Sequence, residues 1–221
     1  NTVMAGNAVR MAAENLRKNC EEQAALRWNV AADVVAFDRG AVRHGDALLS
    51  LAEIVAFAGP LSADASYSNE GRISYSYGAH AALAQVDLAT GGVEIERYVL
   101  TEEIGRALNP AMVEGQAVGG VVQGIGGVLL EHMTYDGDGQ FLSGSFADYL
   151  LPTAAEAPPI TAITLEDSPS KMNPMGFKGA GEGGIVAVAA AVANAVAQAT
   201  GATIVELPLS PNRLRALIRK R

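Results

Sequence analysis

Glu182 is the residue whose setting most invites a chemical reading. It lies in NPMGFKGAGEGG, positions 173–184, where a glycine-rich loop gives way to an apolar run. A carboxylate at a helix start is stabilised by the helix dipole, so a first-turn capping role is one reading. The other is a general base. Gly181, Gly183 and Gly184 add no side chains that would shield the carboxylate. An apolar setting would desolvate it and raise its proton affinity towards the pH where base catalysis works. Residue type and position leave both readings open.

A second segment, EGQAVGGVVQGIGGVLLEH at 114–132, carries glutamines among glycines. On a helix, Gln116, Gly119, Gly120, Gln123 and Gly127 share one side. Such a face could hold a flat polar ligand, with the amides donating and accepting hydrogen bonds. It could equally be a small-residue contact with another helix. It is not a dinucleotide fingerprint, because Gly124-Ile125-Gly126-Gly127 lacks the preceding strand and the spacing. His44, His80 and His132 have no metal-ligand spacing and read as structural or exposed. Ser143-Gly144-Ser145 does not match a nucleophile elbow. Tyr67, Tyr75 and Tyr77 read as strand or loop packing.

Composition narrows the remaining classes. The chain has 221 residues and a formal charge of −8, which disfavours nucleic acid or an anionic membrane surface as partner. The single Cys20 excludes an internal disulfide framework or an iron–sulfur cluster held by this chain alone. Ile185–Ala199 is the most apolar run, and it reads as too short and too weakly hydrophobic to span a bilayer. Charges throughout residues 1–20 argue against a signal peptide. The 24 glycines cluster in 115–127 and 176–184 without a period, which suggests backbone brought close to something bulky.

The elements that must position these residues follow from periodicity. Residues 1–20 read as a helix, with Val9, Ala12, Ala13 and Leu16 as its apolar stripe. Residues 34–37 and 41–43 form a small hairpin about Asp38-Arg39-Gly40. Leu51–Ala58 is a short helix with a Ser50/Glu53 capping box, followed by a loop over 59–72. His80–Asp87 and Val93–Leu100 alternate around Leu88-Ala89-Thr90-Gly91-Gly92 and make the clearest hairpin. Met112–Glu131 reads as a helix whose glycines demand close packing. Residues 133–141 read as another hairpin and Ile160–Asp167 as a strand. Glu182–Thr200 reads as a helix capped by Gly201, and Pro211–Arg219 as a terminal helix. Strands and helices mix without strict alternation, which favours an α+β fold of mixed sheets and helices.

Taken in order, AGNAVRMAAENLR, AQVDLATGGVEIERY, IGRALNPAMVEGQAVGGVVQGIGGVLLE, SFADYLLPTA, NPMGFKGAGEGG and LPLSPNRLRAL cover nearly the whole chain. This series resembles the C-terminal part of the molybdopterin-binding large subunit of the xanthine dehydrogenase, aldehyde oxidase and carbon monoxide dehydrogenase family. Within that family the series resembles the carbon monoxide dehydrogenase large-subunit branch. The resemblance implies that residues 1–221 are one C-terminal portion of a molybdopterin-binding domain in a larger subunit. It implies that Glu182 is the base beside the molybdenum, taking a proton as a carbon centre is oxidised with water as oxygen source. Gln123, Gly124, Ala180 and Gly181 would approach the cofactor, and Asn1 and Thr2 would end a further pterin-binding loop. No residue of this chain would ligate the metal. Molybdopterin in its cytosine dinucleotide form is the implied cofactor, and an aldehyde, N-heterocycle or related small molecule the implied substrate. Iron–sulfur clusters and FAD would reside on partner chains or segments. The implied partners are the rest of the subunit, an iron–sulfur subunit and an FAD subunit, in the cytoplasm or alternatively the periplasm. Glu103 stands where the family pattern carries Asp. The alternative is a non-catalytic interaction or assembly domain that keeps the fold without the cofactor.

Overall fold

The structure, a computed structural model, describes residues 2–69, 71 and 73–220. Cysteine-poor and glycine-rich, the chain builds two compact units, one of Asn1–Ile73 with Met172–Met175, the other of Ser74–Lys171 with Gly176–Arg221. Helices and two three-stranded sheets are mixed, as an α+β chain requires.

In the first unit a π-helical turn, Thr2–Gly6, leads into α1, Asn7–Trp28. The helix runs eight residues past the expected end at Cys20. Glu21, Glu22 and Gln23 are good helix formers, and Cys20, Ala24 and Ala25 continue its buried stripe. Asn29 ends it in the left-handed conformation. Strands β1 (Ala36–Asp38), β2 (Ala41–His44) and β3 (Ala47–Ser50) pair antiparallel in that order. The third strand had no alternation to betray it. Helix α2, Leu51–Ala58, starts at Ser50 with both arms of the expected capping box formed. Val35, Val42 and Ile54 close this unit's core against α1.

The second unit holds the long hairpin. Strands β4 (Tyr77–Val86) and β5 (Val93–Glu103) pair antiparallel, with a bulge between Leu83 and Ala84. Both run several residues further than the hydrophobic alternation suggested, and the extension of β5 takes in Glu102 and Glu103. Helix α3 (Pro110–Leu129), capped by the Asn109 side chain on the Met112 N–H, crosses over to β6 (Ile160–Leu165). Strand β6 lies parallel to β5. The expected hairpin at 133–141 shrinks to a turn closed by one bridge, Tyr135 to Phe141. Asp136 explains this, since its carboxylate accepts from the Asp138 and Gln140 N–H groups and folds the chain locally.

The expected helix 182–200 is two helices, α4 (Gly183–Val186) and α5 (Val188–Thr200), interrupted at Ala187. By length and composition alone, Gly183–Thr200 is apolar enough to cross a membrane, with mean hydropathy 1.5 over 18 residues, which corrects the reading from sequence. In the fold, Val188, Val192 and Val196 are fully buried in the core beneath β4 and β5. Helix α6, Pro211–Arg219, adds Leu214 to that core.

The glycines of α3 divide by what lies beside them. A Cβ on Gly124 would come within 2.6 Å of the Val188 side chain, whereas one on Gly127 would meet nothing within 4 Å. Gly124→Ala should therefore cost about 1–3 kcal/mol through overpacking. Gly127→Ala should stabilise by up to about 1 kcal/mol through helix propensity. Urea unfolding of the two variants checks this opposition of sign.

Candidate active site

The loop carrying Glu182 is anchored on both sides. Upstream, residues 176–178 pair with 104–106: Arg106 N–H donates to the Gly176 carbonyl at 3.1 Å, and Lys178 N–H to the Ile104 carbonyl at 3.0 Å. Only glycine serves at 105, with φ +75 and a would-be Cβ 2.2 Å from the Gly176 oxygen. Beneath this ladder the Lys178 ammonium forms an ion pair with the fully buried Glu103. Glu103 also accepts from the Gly105 N–H at 2.8 Å and the Ser168 N–H at 3.1 Å. Burial alone would push its carboxyl up, but Lys178 and the two N–H groups outweigh that and hold it below its ordinary range. Downstream, Gly184 lies against α3, where a Cβ would come within 2.3 Å of the Ala117 carbonyl. Gly120 faces it, with a Cβ there 3.0 Å from the Gly184 Cα.

Glu182 occupies the N-cap position of α4 but makes no side-chain cap bond, so the capping reading fails. Its side chain is exposed, not desolvated as the apolar sequence context suggested. It borders two clefts of the second unit. One, of about 280 Å3, is walled by Gly115, Gln116, Gly119, Gly120, Gln123 and Gly181. A Cβ on Gly115, Gly119 or Gly181 would meet nothing, so bare backbone and two amides face open space. That surface fits a flat, polar, hydrogen-bonding group such as a pterin.

The second cleft, of about 440 Å3, is lined by Tyr77, His80, Glu102, Gly181, Glu182 and Val186, among others. Tyr98, Leu100 and Glu102 alternate along β5 and so share its inner face. Glu102 is 4% exposed, and its Oε1 has no hydrogen-bond partner among the described residues. Burial pushes this carboxyl up. Burial likewise pushes the His80 imidazole down, against the opposing effect of its hydrogen bond to the Gly183 backbone.

Of the residues expected at the site, the structure brings Gln123, Gly181 and Glu182 to one cleft. Ala180 lies between two cleft residues, Gly179 and Gly181, and lines neither cleft itself. Gly124 is buried, and a Cβ there would meet the Val188 side chain. Thr2 belongs to the first unit, and Asn1 lies outside the described residues. Among the described residues no group of His, Cys, Asp and Glu could hold a metal ion. Sequence reading placed Gln116 on the face of Gln123 without carrying it to the list of cofactor contacts, read His80 as structural or exposed, and assigned Tyr77 to packing. The strand periodicity that places His80 on the same face as Tyr98 was the available signal.

Over residues 1–158 the chain matches the family described as "Molybdopterin cofactor-binding domain". The chain belongs to this molybdopterin-binding family. Among its relatives, the 6-hydroxypseudooxynicotine dehydrogenase complex subunit gamma of Paenarthrobacter nicotinovorans is 38% identical over 96% of this chain. The aldehyde oxidoreductase molybdenum-binding subunit of Escherichia coli K12 is 33% identical over 80% of it. The crystal structure of quinoline 2-oxidoreductase from Pseudomonas putida 86 superposes with a TM-score of 0.81 over 95% of this chain, at 30% identity. This chain spans 29%, 25% and 29% of those three proteins respectively, under a third of the length of each.

The Glu103–Lys178 pair can be tested on its own. Removing one partner of a buried pair costs about 3–5 kcal/mol, so Glu103→Gln should destabilise the protein by that order at neutral pH. Because the folded state holds the Glu103 proton less tightly than the unfolded chain, the pair stabilises above the ordinary value of 4.5 and that stabilisation fades as pH falls through it. Urea unfolding of both proteins from pH 7 to pH 3 should show the difference narrowing towards the acid end.

Proposed function

We propose that this chain is the part of a molybdenum hydroxylase subunit that supplies the base, Glu182, and one wall of the cofactor site, the glycine–glutamine face of α3. The observation carrying this reading is that an exposed, uncapped carboxylate stands at the edge of a glycine-rich cleft in a chain of this family. Gln116 and Gln123 offer amide donors and acceptors across the bare backbone of Gly115 and Gly119. Gly181 lets the main chain approach the same group. Molybdopterin, when bound, supplies the redox chemistry that this chain's side chains lack. Glu182 accepts the proton released as the substrate carbon is oxidised, and exposure on the described surface lets it pass that proton on.

The relatives' names support a small aldehyde or N-heterocyclic substrate. A relative named as one subunit of a complex supports separate iron–sulfur and FAD subunits. We take the cofactor to be the cytosine dinucleotide form, with Thr2, Ala180 and Gly181 contributing contacts, and the compartment to be the cytoplasm. A cofactor site normally encloses most of its ligand, and the walls described above cover one side. The remainder of the subunit completes it.

Three measurements test the reading. In the assembled enzyme, Glu182→Gln should keep full molybdenum content while turnover falls at least 10²–10⁴-fold, the typical contribution of a general base. Near-normal turnover at full metal loading would reject the assignment. Gln123→Ala should lower molybdenum occupancy about ten- to a hundred-fold with little change in melting temperature. Release of cytidine monophosphate on acid hydrolysis of the purified enzyme checks the dinucleotide form.

A further inference from the structure

Glu102 is a buried carboxyl that the reading above does not employ. It is 4% exposed, yet its Oε1 has no hydrogen-bond partner among the described residues. A carboxyl taken out of water without a partner is costly and rare in a folded chain. The polar groups nearest to hand are already engaged. The Tyr98 hydroxyl lies 2.8 Å from His80 Nδ1, and the Lys178 ammonium pairs with Glu103. Glu102 does line the cleft of about 440 Å3, so a partner can reach it from there.

The cleft's chemistry says what that partner is. Its ionisable side chains are Tyr77, His80, Glu102 and Glu182, and among the described residues no lysine or arginine lines it. Burial pushes the His80 imidazole down, so the ring is uncharged at neutral pH. Two carboxyls therefore face the space with no cation to balance them. Among the described residues no group of His, Cys, Asp and Glu could hold a metal ion, so a metal does not supply the balance. The remaining surface is apolar or bare. Val186 and the Tyr77 ring are exposed there, and a Cβ on Gly179 or Gly181 would meet nothing within 4 Å. The Tyr77 ring already holds one cation, the Lys178 ammonium, 5.3 Å from its centroid.

We propose that this cleft recognises an organic cation, a small molecule whose protonated nitrogen donates to Glu102 while its apolar body lies against Tyr77 and Val186. An anion would be repelled by both carboxyls, and a neutral molecule would leave them unbalanced. Burial pushes the Glu102 carboxyl up, and a bound cation favours its ionised form, so ligand binding and ionisation support each other. Glu182 borders the same cleft. That the cation is the substrate rests on the reading of Glu182 as the base, whereas its capture by Glu102 does not.

The test uses the assembled enzyme without an electron acceptor, and two probes of similar shape, benzylammonium and neutral benzyl alcohol. Calorimetry at neutral pH should show benzylammonium binding about ten- to a hundred-fold tighter, the scale of a hydrogen bond to a charged group. Glu102→Gln should abolish that preference at unchanged molybdenum content, without lowering the melting temperature. Glu102→Asp, which keeps the charge but withdraws it by one methylene, should show an intermediate preference. Equal affinity of the wild-type enzyme for the two probes would overturn the proposal. So would a full preference surviving in either variant. A lowered melting temperature or lost assembly in Glu102→Gln, with the preference intact in Glu102→Asp, would also overturn it, by giving Glu102 a basic partner elsewhere in the subunit. If Glu182→Gln turned over normally, the base reading would fall, while the preference and its loss in Glu102→Gln would still decide the cleft.

Discussion

The buried ion pair between Glu103 and Lys178 is the constraint on which the candidate site depends. A lysine and a glutamate removed from water are costly unless each is paired and further hydrogen-bonded. Here Glu103 takes Lys178 on one oxygen and two backbone N–H groups on the other. The end of β5 and the loop that leads to Glu182 are thereby tied at one point. The stretch from Gly179 to Gly184 is short and poor in side chains, so its path is set by where Lys178 starts and where Gly184 meets α3.

Those two anchors explain the division of labour among the glycines. At 120, 124 and 184 a Cβ would collide with backbone or with Val188, and glycine lets helices approach. At 115, 119 and 181 nothing stands near, and glycine leaves a surface open. One helix therefore serves as packing on one side and as a bare platform on the other. The residues of the two kinds alternate with the helical period, which is why a single glycine-rich string in the sequence carries both meanings.

Much of this was legible in the sequence where a local rule governs. The Ser50 capping box, the β4–β5 hairpin and α3 with its Pro110 start each follow from a few neighbouring residues. Glu182 and Gln123 could be singled out for the same reason, and the family resemblance raised them further. What was not legible depends on distant partners. The parallel pairing of β6 with β5, the break at Ala187 and the burial of Gly124 against Val188 are set by contacts that no local window contains. His80 went unrecognised because its setting depends on Tyr98 across the hairpin and on a cleft it shares with Glu182 about a hundred residues later. The apolar context of Glu182 misled in the opposite direction, since Val188, Val192 and Val196 turn inward and the carboxylate stays in the open.

The tie between Glu103 and Lys178 joins residues 75 apart in the chain. The β4–β5 hairpin, by contrast, needs only its own six-residue turn, 87–92. During synthesis the hairpin and α3 have emerged well before Lys178 does, leaving Glu103 for that interval as an ionisable group at the end of a strand without its counter-ion. Closing so long a loop carries an entropic cost that local pairing does not, and contacts of high sequence separation form late and slowly. The loop that carries Glu182 is therefore tied to the end of β5 at a late stage of the unit's assembly.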